Sequence, residues 1–261
     1  MDVNLKLKEF NISVPWGHIA VKSWGNESHF PILAIHGIQD NAGSFDQLVS
    51  LLPQTYNYVC IDLPSHGRSS RFTEHIPIHL WNFVLALKFV TDHFNWDKFI
   101  LMGHSLGAHI ALQFAIVFPE KVEKLILLDI ISLLAVEPDK FVSHLCDRYE
   151  KILEENRQIS NKPVDTLDDA LHELNKQRVL FPLKKKAAEM ILPRSVVECP
   201  ILILLSTENG WNWPKDILQA FQKQRNIKIQ WLSGDHYFHI VGAKSIALVI
   251  GNYLGLSKSK I

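Results

Sequence analysis

The strongest constraint on how this chain folds is five residues long: Gly103-His104-Ser105-Leu106-Gly107, set between two elements that read clearly. Before it runs Lys98-Phe99-Ile100-Leu101-Met102, an apolar run of strand length. After it, Ala108 to Phe118 carries apolar residues at helical spacing. A serine on a tight strand-to-helix turn has its hydroxyl pushed up and out of the sheet. Such a turn needs small flanking residues, because a side chain there would strike the adjoining strand or helix. The head of the following helix also aims backbone N–H groups at the serine, where an oxyanion would form.

The rest of the chain supplies a sheet around this turn. Asn4–Ile12 and His18–Trp24 read as a hairpin joined at Pro15-Trp16-Gly17. Pro31–Ile35 is a short buried strand ending in His36-Gly37, and Ser44–Leu52 looks helical. Tyr56–Ile61 is a strand ending at Asp62. Ile78–Phe94 is a long helix with Leu80, Val84, Leu87 and Phe94 on one stripe, and Lys124–Leu128 is a strand ending at Asp129. Strands alternating with helices predict a mostly parallel sheet covered on both faces, an α/β fold. From Pro138 to about Leu192 the pattern is helical with no strand. Pro200–Leu205 and Ile227–Leu232 then resume the sheet, and Ala243–Leu254 closes as a helix. The expected organisation is a core of residues 1–131 and 196–261, interrupted by a short helical cap over 132–195.

Composition narrows the function. The 261 residues carry 27 Lys+Arg against 27 Asp+Glu, and the one basic run, Lys184-Lys185-Lys186, reads as a solvated helix face. Nucleic-acid binding needs clustered cations, so it is not expected. Three cysteines, Cys60, Cys146 and Cys199, stand far apart with no C-x-x-C, which argues against a disulfide framework or a thiolate metal site. No metal is expected. The first ten residues lack an apolar signal region, and no apolar run spans a membrane, so the expected location is cytoplasmic. The ending Ser259-Lys260-Ile261 is one aliphatic branch away from the peroxisomal address S-K-L. A polar tail is the preferred reading, a peroxisomal location the alternative.

A serine at its free pKa is a poor nucleophile and needs a base. In open α/β sheets that base comes from a loop at the carboxyl ends of the strands. Thirteen histidines compete. His236, in Gly234-Asp235-His236 after the last strand, is preferred to His239, which leads into the closing helix. A carboxylate must orient the imidazole. Asp129, at the end of the strand after the serine's helix, is preferred for its firmly held backbone, with Glu208 in the loop Ser206-Thr207-Glu208-Asn209-Gly210 as the alternative. Gly37 lets the chain turn so that the N–H of Ile38, with that of Leu106, forms a two-donor oxyanion hole. His36 reads as a histidine bonding backbone under that loop and is kept among the substrate-side candidates with Phe141, Leu145, Trp211 and Trp213.

Together these residues resemble the α/β-hydrolase superfamily over nearly the full length. The order is His36-Gly37, then Asp62-Leu63-Pro64-Ser65-His66-Gly67-Arg68-Ser69, then the Ser105 turn, then Gly234-Asp235-His236. The stretch 62–69 looks like the D-x-P-G-H-G-x-S loop, with Ser65 where glycine is usual. The stretches from His36 to Phe45 and from Phe118 to Asp129 resemble the serine hydrolase-like (Kraken-like) branch. The resemblance implies a serine hydrolase with a cap and no cofactor. In most members the acid follows the strand matching Pro200–Leu205; here the aligned residue is Asn209, an amide. Some members draw the acid from the end of the preceding strand, which is Asp129. Related epoxide hydrolases and dehalogenases use aspartate where this chain has Ser105, so serine favours acyl transfer. The expected substrate is a small-molecule carboxylic ester, thioester or lactone, and Phe141, Leu145, Trp211 and Trp213 suggest an apolar acyl or aryl group. The competing expectation is a catalytically silent fold used for binding.

Overall fold

The computed structural model describes residues 6–72, 80–130, 197–209, 213 and 215–255. The expected cap, 132–195, lies outside the described residues. So do Phe141, Leu145, Cys146, Trp211 and the ending Ser259-Lys260-Ile261.

Eight strands form one sheet: β1 (Leu7–Val14), β2 (Gly17–Trp24), β3 (Phe30–Ile35), β4 (Tyr56–Ile61), β5 (Phe99–His104), β6 (Val122–Leu128), β7 (Ile201–Ser206) and β8 (Ile227–Leu232). Their spatial order is β1-β2-β4-β3-β5-β6-β7-β8. Strand β2 is antiparallel to both β1 and β4, and the other pairs are parallel. The helices are α1 (Asp46–Leu51), α2 (Leu80–His93), α3 (Leu106–Val117), α4 (Lys215–Gln222), α5 (Phe238–Val241) and α6 (Ala243–Tyr253). The expected helix over 44–52 divides into a 3-10 turn, Ala42–Phe45, capped by the Asn41 side chain, and α1. Helix α4 has no counterpart in the sequence reading.

The central strands are apolar along most of their length because both faces are covered. Leu33, Ile35, Leu101, Leu125, Leu127, Ile201 and Ile203 point to a core shared with α2 and α3. Their neighbours in sequence, Ile32, Ala34, Ile100, Met102, Ile126, Leu202 and Leu204, point to a second core under α1, α5 and α6. Successive side chains on a strand face opposite ways, so a strand buried on both sides cannot show polar alternation. Among the described residues no helix is long and apolar enough to cross a membrane.

This topology fixes where a site can form. From β3 the chain passes first to β4 on one side, then to β5 on the other. The crevice between the carboxyl ends of β3 and β5 is therefore the switch point, where loops diverge and leave room for a ligand.

Candidate active site

Ser105 sits in that crevice, at the junction of β5 and α3, with φ 52° and ψ −118°. A left-handed backbone is costly for a residue with a Cβ, on the order of 1–3 kcal/mol. Two glycines allow it. A Cβ on Gly103 would stand 2.3 Å from the carbonyl oxygen of Gly107, and one on Gly107 would stand 2.2 Å from that of Ile35. Strand, turn and helix thus touch backbone to backbone. Gly107→Ala is expected to destabilise the fold by about 3 kcal/mol or more, since rigid backbone cannot give way. A urea midpoint unchanged from wild type would contradict this packing.

Four other strand ends bring their residues to the same edge. His236, in the loop after β8, places Nε2 2.8 Å from Ser105 Oγ and Nδ1 2.7 Å from Asp129 Oδ2. Asp129 follows β6 directly, also with positive φ, and is wholly buried. Its amide is held by the carbonyl of Leu204 at 2.7 Å. Its carboxylate accepts from the Ser206 amide (2.7 Å) and hydroxyl (3.0 Å), and Asn209 Nδ2 lies 2.9 Å from both oxygens. A buried carboxylate is stable only when its lone pairs are filled by donors, and these groups fill them. Glu208 turns elsewhere: its Oε1 accepts from the Ser233 hydroxyl and the Gly234 amide, bracing the turn after β8.

The turn after β3 closes against the serine. A Cβ on Gly37 would lie 3.2 Å from Ser105 Cβ, so the backbone leading to Ile38 lies against the serine side chain. Leu106 is the first residue of α3, and its N–H heads that helix. Behind this turn, Asp62 ties loops together by accepting from the amides of Ala42 and Arg68, both at 2.7 Å. Ser65 has φ 64°, the left-handed conformation that glycine adopts most readily.

The structure places two of the candidates for substrate contact. His36 is fully buried, with Nδ1 2.6 Å from the Gly37 carbonyl and Nε2 accepting from the Leu63 amide. Both ring nitrogens are spent on backbone, so it offers no group to a ligand. Trp213 is 6% exposed and packed into the core beside α2 and α3, where its surface goes to packing.

His239 is wholly buried, and neither ring nitrogen has a hydrogen-bond partner among the described residues. Its ring stacks on His104 at 4.0 Å with planes 36° apart. Asp40, His104 and His239 each bring one potential ligand atom within 4.8 Å of the others. The two rings are tilted across this contact and His104 Nε2 is already spent on the carbonyl of His236, which suits packing better than a metal.

Buried neutral histidines make this edge sensitive to acid. Burial pushes His36 and His239 down to about 3 and His109 to about 4, from an ordinary 6.5. His66 and His104 are lowered by the same cause. Above pH 6.5 these rings are neutral in both folded and unfolded chains and add no pH dependence. Below 6.5 the unfolded chain takes up protons that the folded chain refuses. Stability therefore falls with pH, by about 1.4 kcal/mol per unit for each such histidine until its folded pKa is reached. Cooperative unfolding is expected above about pH 4, given typical stabilities of about 5–15 kcal/mol. Urea midpoints followed by circular dichroism from pH 7 to 4 test this, and a flat profile would count against it.

With fold and geometry in view, comparison with known proteins gives the class. The chain belongs to the α/β-hydrolase family: the family model described as alpha/beta hydrolase fold matches residues 31–190, and curated relatives place it in the serine hydrolase-like branch. A serine hydrolase-like protein of Mus musculus is 35% identical over 219 residues, covering 83% of this chain and 70% of that one. Serine hydrolase-like protein 2 of Homo sapiens is 32% identical, covering 84% and 69%. Among solved structures, a hypothetical protein of Pseudomonas aeruginosa PAO1 superposes with a TM-score of 0.69 at 25% identity, covering 95% of this chain and all of that one. Fold and relatives together mark the chain as a hydrolase.

Two contributors escaped the sequence reading. Asn209, which the sequence reading placed only as an amide at the acid's usual position, donates to Asp129. His104 donates to the carbonyl of His236. The amide at the usual acid position was the available signal for the first, since an amide beside a displaced carboxylate is a ready donor. The second bond spans 132 residues and had no local signal.

Proposed function

We propose that this chain is a serine hydrolase that cleaves a small-molecule carboxylic ester, or a thioester or lactone, with an apolar acyl or aryl group. One observation carries the reading: the unbroken hydrogen-bonded series from Ser105 Oγ through both nitrogens of His236 to the buried carboxylate of Asp129. In this reading Asp129 accepts the Nδ1 proton of His236 and so leaves Nε2 bare toward Ser105. As the serine oxygen attacks the acyl carbon, its proton passes to Nε2, and Asp129 stabilises the imidazolium. The carbonyl oxygen takes the negative charge and faces the N–H groups of Ile38 and Leu106. Collapse of this intermediate expels the alcohol or thiol, which takes the proton from Nε2. Water then enters along the same path, with His236 again as base, and releases the acid. The aromatic and aliphatic residues Phe141, Leu145 and Trp211 of the sequence support an apolar acyl group.

The test is labelling of the purified chain by a fluorophosphonate, which reacts readily only with an activated serine. Labelling confined to Ser105 is expected. An unlabelled wild-type chain would overturn the reading in favour of a binding role for the fold.

A further inference from the structure

We infer that His104 is a positioning residue that holds the base loop and the turn after β3 in register with Ser105, an inference that rests on reading Ser105 and His236 as nucleophile and base. His104 is the last residue of β5 and is fully buried. Its Nε2 donates to the main-chain carbonyl of His236 at 2.8 Å. That bond places the ring proton on Nε2, so Nδ1 carries a lone pair. On this Nδ1 side the ring is roofed by Gly37: a Cβ there would stand 3.0 Å from Nδ1. One imidazole therefore touches the turn after β3, the strand that carries Ser105, and the loop after β8.

The loop after β8 needs such a tether. It is short and irregular, with Gly234 at φ +130°. Its flanks are held as well: Glu208 holds Ser233 and Gly234, and Asp235 caps Tyr237 and Phe238. At His236 itself the main-chain carbonyl accepts from His104, and the side chain bonds the two groups it must serve. Fixing the backbone sets where the ring begins.

The surroundings keep His104 able to do this. His36, His236, His239 and Asp40 are the titratable groups that face it, with the Tyr237 ring 5.4 Å away. Burial, then the neighbouring histidines, holds His104 well below its ordinary value. It stays neutral while His236, with ring centroid 4.7 Å away, takes up a proton. A second cation there would oppose that step.

Three variants test the inference. His104→Gln keeps an N–H donor at about the reach of Nε2, His104→Leu fills the space without one, and His104→Asn carries its amide one bond short. For each, kcat and KM toward an activated ester, the fluorophosphonate labelling rate from pH 5.5 to 9, and the melting temperature are measured. His104→Leu is expected to lower kcat and the labelling rate by about 10- to 100-fold, as a misplaced base does, with KM changed less than about threefold. Its labelling pH profile should shift, and His104→Gln should recover to within about fivefold of wild type. If His104→Leu does not fold, His104→Asn takes its place against His104→Gln. Equal labelling rates and pH profiles for the donor and non-donor variants, with only melting temperatures changed, would overturn the inference. Failure of the wild-type chain to label would instead overturn the reading beneath it.

Discussion

Ser105→Ala is expected to lower kcat toward short activated esters by about 10⁴–10⁶-fold while leaving the fold intact. The hydroxyl removed is the one 2.8 Å from His236 Nε2. Residual turnover would come from substrate binding and backbone donors alone, and KM should move little. Stability gives an independent check on the turn. Alanine keeps the Cβ and therefore the strained φ of 52°. Ser105→Gly removes that Cβ, and despite the greater chain entropy of glycine it should be more stable than Ser105→Ala by about 1 kcal/mol. Undiminished turnover in the alanine variant would remove Ser105 from the mechanism. Equal stability of the two variants would contradict the strain.

Asp129→Asn should cost about 10³–10⁴ in kcat, the loss expected when an imidazole is held in the wrong tautomer. The neighbours determine which way the new amide lies. The Ser206 N–H donates to Oδ1, so the amide oxygen is kept there. The NH₂ then replaces Oδ2 and faces His236 Nδ1, which moves the histidine proton to Nε2 and blocks proton uptake from Ser105. That NH₂ also opposes the Nδ2 donor of Asn209, so the variant should be less stable by about 1–3 kcal/mol. Glu208→Gln should lower kcat tenfold or less, because its Oε1 braces Ser233 and Gly234. Steady-state kinetics on folded variants decide between them: a larger loss for Glu208→Gln would move the orienting role to Glu208.

Much of the fold was legible in the sequence because it is written locally. Continuous apolar runs gave the parallel strands with their ends right to within a few residues, and β8 matched at both ends. The glycines flanking Ser105 were readable as a steric need, and the Cβ distances show the same need in the folded chain. The helix over 215–222 was missed although Ile217, Leu218 and Phe221 stand at helical spacing. The 3-10 turn before α1 was read as part of the helix because a periodicity of apolar residues does not distinguish i+3 from i+4 bonding at a helix start.

The candidate site divides the same way. The residue types and their places at strand ends belong to the sequence: a serine on a glycine-flanked turn, a histidine after the last strand, and two carboxylates near the sheet edge. Only the tertiary structure decided which carboxylate reaches His236. Strands β6, β7 and β8 lie side by side, so Asp129 and His236, 107 residues apart, come within 2.7 Å, while Glu208 is drawn to the turn beside it. The same packing spends both nitrogens of His36 on backbone and sets His104 against the carbonyl of His236. Sequence determines local backbone and burial period, which depend on neighbours a few residues away. A hydrogen bond depends on direction within tenths of an ångström, and that is set only when distant strands have packed.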